Sequence, residues 1–150
     1  MKKQIMAVMI GIISSTAVFG LKNETRKFAV LVAAENGGAD KARLKYSRSD
    51  TESFQKILIR LSGLEPSDTR ILTNPDKKTF IKEMDSLSSL ALSLSKKYKK
   101  TEFIFYYSGH SDENGLNLNH ETISYQYIRE YMKSLPFDLK IVILDSCSSG

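Results

Sequence analysis

The chain of 150 residues has one cysteine, Cys147, and two histidines, His110 and His120. A single cysteine excludes an internal disulfide. The leftover thiol is then a partner for another chain, a buried apolar residue or a reactive group. Excess charge is small too, at +5. No internal repeat and no low-complexity segment interrupts the sequence. The length suits one ordinary domain, and 41% hydrophobic residues are too many for a disordered chain.

The first twenty residues differ from the rest. MKKQ is a basic start, IMAVMIGIISSTAVF is uncharged and apolar, and VFG offers residues tolerated at a cleavage site before the polar LKNETRK. This pattern predicts a secretory signal peptide over residues 1–20, export to the periplasm or outside, and a domain over residues 21–150. An uncleaved membrane anchor is the alternative, because the apolar run is near the lower limit for spanning a bilayer. The absence of a cysteine near the cleavage site argues against a lipoprotein. Removing Lys2 and Lys3 takes the 22 basic residues to 20 against 17 acidic ones, a net +3. The run Lys96, Lys97, Lys99, Lys100 looks like a nucleic-acid patch. It reads better as the basic end of a helix, where cations suit the negative end of the macrodipole. Neither a nucleic acid nor, after signal removal, a membrane is expected as a partner.

Apolar and amphipathic runs alternate along the remainder. Phe28 to Ala34 reads as a buried strand, followed by a polar, glycine-containing loop. Phe54, Ile57, Leu58 and Leu61 fall at helical spacing, with Ser49 or Asp50 as a cap and Gly63 as a stop. Arg70 to Asn74 is a short strand closed by Pro75. A second helix carries Phe80, Met84, Leu87, Ala91, Leu94 and Tyr98 on one stripe. Glu102 to Gly109 is a β-branched and aromatic strand. Asn114-Gly115 signals a turn in a small hairpin. Ser124 caps a third helix with Ile128, Tyr131, Met132 and Leu135 on its face. Lys140 to Ser146 is the last strand. The alternation implies an α/β fold with parallel strands and helices on both faces.

Chemistry in such sheets gathers at the carboxyl ends of the strands. One strand runs into Ser108-Gly109-His110 and another into Asp145-Ser146-Cys147, so both deliver polar residues to the same edge. Packing gives a buried strand no reason to end this way. A thiol with a free pKa of about 8.5 is a weak nucleophile until a base takes its proton. A nearby imidazole does that and can later protonate a leaving amine. Gly109 and the Ser148-Ser149-Gly150 turn leave room for backbone N–H groups to face a substrate oxygen. Taken singly, a lone cysteine is more often a small buried residue and a lone histidine a surface or core one. His120, among polar residues of the hairpin, reads as surface.

FYYSGHSDENGL followed by IVILDSCSSG resembles the caspase-like and metacaspase-like cysteine peptidases, particularly their bacterial branch. The resemblance runs from about Lys27 to Gly150, the large-subunit half of that domain. It implies a three-layer caspase-haemoglobinase-like α/β fold with a mostly parallel sheet, its C-terminal part missing. It implies His110 as general base and acid and Cys147 as nucleophile. The oxyanion donors would be the backbone N–H groups of Ser111 and Cys147. Metacaspases usually carry Gly at the position of Ser111, so the donor survives if the backbone angle is one Ser can adopt.

The same resemblance places Asp50, Ser108 and Asp145 in an acidic substrate pocket. Two carboxylates favour a guanidinium or ammonium, so cleavage of peptide or protein substrates after Arg or Lys is expected. Arg48, in YSRSD, also looks like the segment with which caspases bind aspartate; the alternative is a solvated loop residue. Asp50 has the alternative of a plain helix cap. No metal or cofactor is implied beyond a weak calcium signal at Asp112 and Glu113, since two adjacent acids fall short of six or more oxygen ligands.

The family domain continues past its cysteine with further strands, whereas Gly150 is the third residue after Cys147. The last strand is therefore expected to show an unpaired, hydrophobic edge. The sequence is then either a fragment or a truncated product, and in the second case little or no peptidase activity is expected, because a cysteine on a loose terminus can lose about a hundredfold in rate. Three functions stand: a Cys147–His110 endopeptidase, a non-catalytic binding or regulatory module on the same fold, and a cysteine hydrolase acting on a non-peptide ester or amide.

Overall fold

A computed structural model describes residues 25–38 and 41–146. The predicted signal segment and Cys147 lie outside the described residues. The elements in chain order are β1 (Thr25–Ala34), α1 (Ser47–Ile57), β2 (Thr69–Thr73), α2 (Lys77–Leu94), β3 (Lys100–Gly109), β4 (Gly115–Leu118), β5 (Glu121–Ser124), α3 (Tyr125–Ser134) and β6 (Leu139–Asp145). Strands β2-β1-β3-β6 form one sheet in that order, and every pair in it is parallel. β4 and β5 form a separate antiparallel hairpin.

Alternation along each strand sends side chains to opposite faces, and the helices divide accordingly. Phe28, Val30 and Val32 of β1 join Phe103, Phe105 and Tyr107 of β3 on one face, under α2, α3 and the hairpin. Ala29, Leu31, Ile104 and Tyr106 form a smaller cluster on the other face with Phe54 and Leu58 from α1 and the turn after it. The result is a three-layer α/β fold with a mostly parallel sheet. β1 is buried from Phe28 onward, which is why FAVLVAA is apolar throughout instead of alternating.

The helix ends follow local chemistry. Asp76 caps α2 by accepting from the backbone N–H of Thr79 at 2.7 Å, and Ser124 caps α3 through Tyr127. Lys140 of β6 reaches back to the carbonyls of Lys133 and Leu135, satisfying acceptors that the end of α3 leaves orphaned.

The structure corrects four readings. Asp50 is not the cap of α1: the cap position is Tyr46, and Asp50 lies inside the first turn with its N–H on the Tyr46 carbonyl. Ile57 and Leu61 do not line the core; they are 51% and 76% exposed. Ile57 sits about 60° round the helix from Phe54. Residues Leu58–Ser62 then form a π-helical turn, whose slower rotation swings Leu61 to the same outward side. Gly63, at φ 74°, stops the helix there as expected. The hairpin turns at Asn119-His120 and not at Asn114-Gly115. Instead, Asp112 accepts from the N–H groups of Asn114 and Gly115 in a side-chain-closed turn that leads into β4. Finally, α2 ends at Leu94 with no basic residue in its last turn, so Lys96 to Lys100 follow the helix.

Among the described residues β6 is a sheet edge. Leu139, Ile141, Val142 and Ile143 are each more than a third exposed there, as the sequence predicts for this strand.

Candidate active site

The register of the parallel pairs decides what meets at the carboxyl edge. Ala33 pairs with Ser108, and Ser108 with Asp145. β1, β3 and β6 therefore end level, and the residues that follow them share one rim. A cavity of about 420 Å³ opens on the α1 side of that rim, lined among others by Lys45, Ser47, Asp50, Ser108, Asp145 and Ser146. All three residues assigned to an acidic pocket, Asp50, Ser108 and Asp145, thus lie in one cavity. A larger cavity of about 620 Å³ lies between α3 and β6. Its lining is apolar and cationic, with no carboxylate, serine or histidine, so the smaller one is the candidate site.

Each member is held from below. Ser47, at the start of α1, donates to the Ser108 carbonyl, which ties the helix to the end of β3. Tyr106 donates from its hydroxyl to Asp145 Oδ2 at 3.1 Å. Burial and the negative charges of Asp145 and Asp50 push the phenol up to about 12, so it remains a donor through neutral pH. Asp50 and Asp145 themselves are exposed toward the cavity. Arg48 is not among the lining residues; it is exposed and pairs with Glu52 one turn along α1, at 3.4 Å. That is the solvated role, and it leaves the cavity its two carboxylates.

His110 lies one residue beyond β3. Its Nε2 is 2.7 Å from the carbonyl oxygen of Ala42. A carbonyl can only accept, so the proton sits on Nε2 and the lone pair on Nδ1. The ring lies against Gly37, where any Cβ would collide with it. The backbone of His110 is fixed as firmly: its carbonyl accepts from the N–H of Asn117 at 3.0 Å and from the hydroxyl of Tyr107. Tyr107 also reaches the Asn117 carbonyl at 2.8 Å. The hairpin strand β4 is thus the back wall of the histidine.

Ser111 is buried and donates from its hydroxyl to Ser146 Oγ at 2.9 Å, joining the two strand ends. Among the described non-glycine residues only Asn74 and Asn119 have positive φ. Ser111 therefore occupies backbone space open to any L-residue, which answers the question raised by its replacing Gly.

The loop between β1 and α1 reads from sequence only as polar and glycine-containing, yet it supplies half the support. Glu35 is buried and accepts from Arg43 at 2.9 Å and from Asn74 Nδ2 at 3.2 Å. Arg43, followed by Asn74, holds this carboxyl below the usual carboxylate range against the cost of burial. Asn74 accepts at Oδ1 from the Asn36 N–H and bonds Ala33 through its own N–H. Its left-handed φ of 46° is one Asn tolerates better than most residues. Composition alone does not show that Glu35, Asn74 and Ala42 serve His110; the only sequence signal is a charged residue immediately after a buried strand.

His120 is exposed, as the hairpin reading predicts. Asp112 carries its turn and lies 3.7 Å from Lys41 Nζ. Among the described residues no group of three or more His, Cys, Asp or Glu is placed to hold a metal ion, and no helix is long and apolar enough to cross a membrane.

No curated protein gives a significant match to the chain. A family model described as the caspase domain matches residues 26–150.

Proposed function

The chain belongs to the caspase-domain family, a family of cysteine peptidases, and from that premise we propose that it is an endopeptidase cleaving after Arg or Lys through a Cys147–His110 dyad. The observation that carries this reading is the conjunction of one cavity lined by Asp50, Ser108 and Asp145 with an imidazole whose Nε2 is already committed to Ala42.

The chemistry follows from those positions. Ser108 and Asp145 are paired in register. In sequence, His110 follows Ser108 and Cys147 follows Asp145 by two residues. The free Nδ1 of His110 takes the thiol proton of Cys147, and the thiolate attacks the scissile carbonyl carbon. The backbone N–H groups of Ser111 and Cys147 receive the developing oxyanion. His110 returns its proton to the leaving amine, a thioester remains, and water activated by the same nitrogen hydrolyses it. The Ala42 carbonyl stabilises the transient imidazolium and keeps the tautomer fixed. A guanidinium or ammonium enters between the two carboxylates, where charge-assisted hydrogen bonds are strongest. The protein is exported after loss of residues 1–20, and it works on peptides or proteins without a metal.

An arginyl chloromethyl ketone tests this directly. It should alkylate Cys147 roughly tenfold or more faster than the aspartyl analogue, a difference of about 1.4 kcal/mol. His110→Ala should abolish the labelling. Equal labelling of the His110→Ala variant would remove the dyad. Preference for the aspartyl reagent would reverse the pocket assignment. Tight peptide binding with no labelling would identify a non-catalytic module.

A further inference from the structure

We propose that Tyr106 is the positioning residue of the acidic pocket, fixing the Asp145 carboxylate so that it discriminates a guanidinium from an ammonium. The inference rests on the pocket reading above and adds a residue that does not line the cavity. Tyr106 is only 7% exposed, and its hydroxyl donates to Oδ2 of Asp145, which lines the cavity. Asp145 is the last residue of the edge strand β6 and is exposed. Without a partner its carboxylate would rotate freely about the terminal torsion, which is broad for Asp. The hydroxyl removes that freedom and turns the remaining acceptor sites toward the cavity.

Tyr106 also reaches the opposite wall. Its ring packs on Phe54 of α1 at 4.8 Å between centroids, and α1 carries Asp50 in its first turn. Ser108, two residues along the same strand, lines the cavity as well. A single buried side chain thus joins β6, through Asp145, to α1, through Phe54. The phenol, pushed up to about 12 by burial and by the two carboxylates, holds its proton at any pH where the pocket works.

A planar, forked guanidinium needs a carboxylate held in a fixed plane, whereas an ammonium is satisfied by a point charge. Loss of the hydroxyl should therefore weaken Arg more than Lys. The test uses the full chain and two short peptide amides that differ only in a terminal Arg or Lys, titrated by calorimetry against the wild type, Tyr106→Phe, Asp145→Asn and the double variant. Tyr106→Phe should weaken Arg-peptide binding about tenfold and Lys-peptide binding no more than about threefold, as expected for lost bidentate geometry. In the Asp145→Asn background the same change should have no further effect, since coupled residues are non-additive. A merely structural tyrosine would instead weaken both peptides alike and add to Asp145→Asn.

The two failures are distinguishable. If Asp145→Asn loses the Arg peptide while Tyr106→Phe binds both peptides as the wild type does, Tyr106 has no positioning role and the pocket reading stands. If the wild type binds the Arg peptide no better than Asp145→Asn does, the pocket reading falls and this inference with it. Tyr106→Phe keeps the ring and its Phe54 contact. An unchanged melting temperature accompanies the expected result, and a large drop with additive losses overturns it.

Discussion

Two adjacent tyrosines divide the labour of this sheet. Tyr107 points to the α2/α3 face and is fully buried. Its hydroxyl is spent on two backbone carbonyls, those of His110 and Asn117. Tyr106 points to the α1 face, where the apolar cluster is small, and its hydroxyl meets a carboxylate that lines a cavity. One face holds the fold and the other holds the pocket. The reason is coverage. Two helices and a hairpin lie over the first face, whereas α1 and the turns beside it supply the second. At the carboxyl edge that thinner layer leaves polar groups facing a cavity instead of another side chain.

The comparison predicts its own largest asymmetry. Phe105 is 1% exposed and packs on Phe80 at 5.5 Å between ring centroids. Phe105→Ala should cost about 3–5 kcal/mol, the range for a deleted buried aromatic. Phe54→Ala, from a partly buried residue on the other face, should cost clearly less in urea denaturation. It should weaken binding of an Arg peptide more than its stability loss explains, because Phe54 braces Tyr106. Equal stability losses would mean that the two faces share the load.

Much of this division is legible in the sequence, and the limits have physical causes. Strand ends at Gly109 and Asp145 follow from apolar runs that stop in polar residues. Helix stripes at Phe80, Met84, Leu87 and Ala91, and at Ile128 and Met132, follow from spacing. The stripe of α1 fails at Leu61 because a π-helical turn follows the helix and changes the period, and periodicity assumes a constant one. Tyr106 and Tyr107 look alike in a run of aromatics. Only the strand register separates a core hydroxyl that clamps a backbone from one that aims a carboxylate. The Glu35–Arg43–Asn74 bracket is invisible for another reason: Asn74 is 39 residues from Glu35 and meets it only when β1 and β2 pair. In the same way Ala42 serves through a carbonyl, which every residue has.

Tyr107→Phe probes the clamp itself. It deprives two buried acceptors of one donor and should cost about 1–2 kcal/mol. If the clamp positions His110, peptide hydrolysis or Cys147 alkylation should also slow, whereas the Arg-over-Lys preference should stay as in the wild type. Tyr106→Phe is expected to do the opposite, changing preference with little loss of stability. If the two variants behaved alike, the two faces would not be separate in function.

Acid should attack the pocket side through its supporting loop. Glu35 is held below the usual carboxylate range by Arg43 and Asn74. A depressed folded-state pKa contributes stability that is fully present above the unfolded value of about 4.3 and is lost as pH falls through the folded one. Stability should therefore be flat from neutral pH to about 5 and decline below it. Glu35→Gln should be less stable at neutral pH and should lose less on acidification. A decline as steep as that of the wild type would assign the acid sensitivity elsewhere. Among the described residues Asp76, Asp138 and Asp112 are the other carboxyls held low, by Thr79, by Thr101 and by the Asn114 and Gly115 N–H groups.

The smallest expected effect is the most exacting for the comparison. Leu61 is apolar and follows the stripe of α1, yet it is 76% exposed, while Leu58 three residues earlier is buried. If the π-helical turn rotates Leu61 away from the sheet, Leu61→Ala should change stability by no more than about 0.5 kcal/mol, the range for surface substitutions. Leu58→Ala should cost about 2 kcal/mol or more, as for a deleted core leucine. A matched pair of large losses would place Leu61 under a cover and make the α1 face a second full core. A near-zero result at Leu61 alone keeps α1 as the thinner layer, which is the condition that leaves Asp50 and Asp145 free to face a substrate.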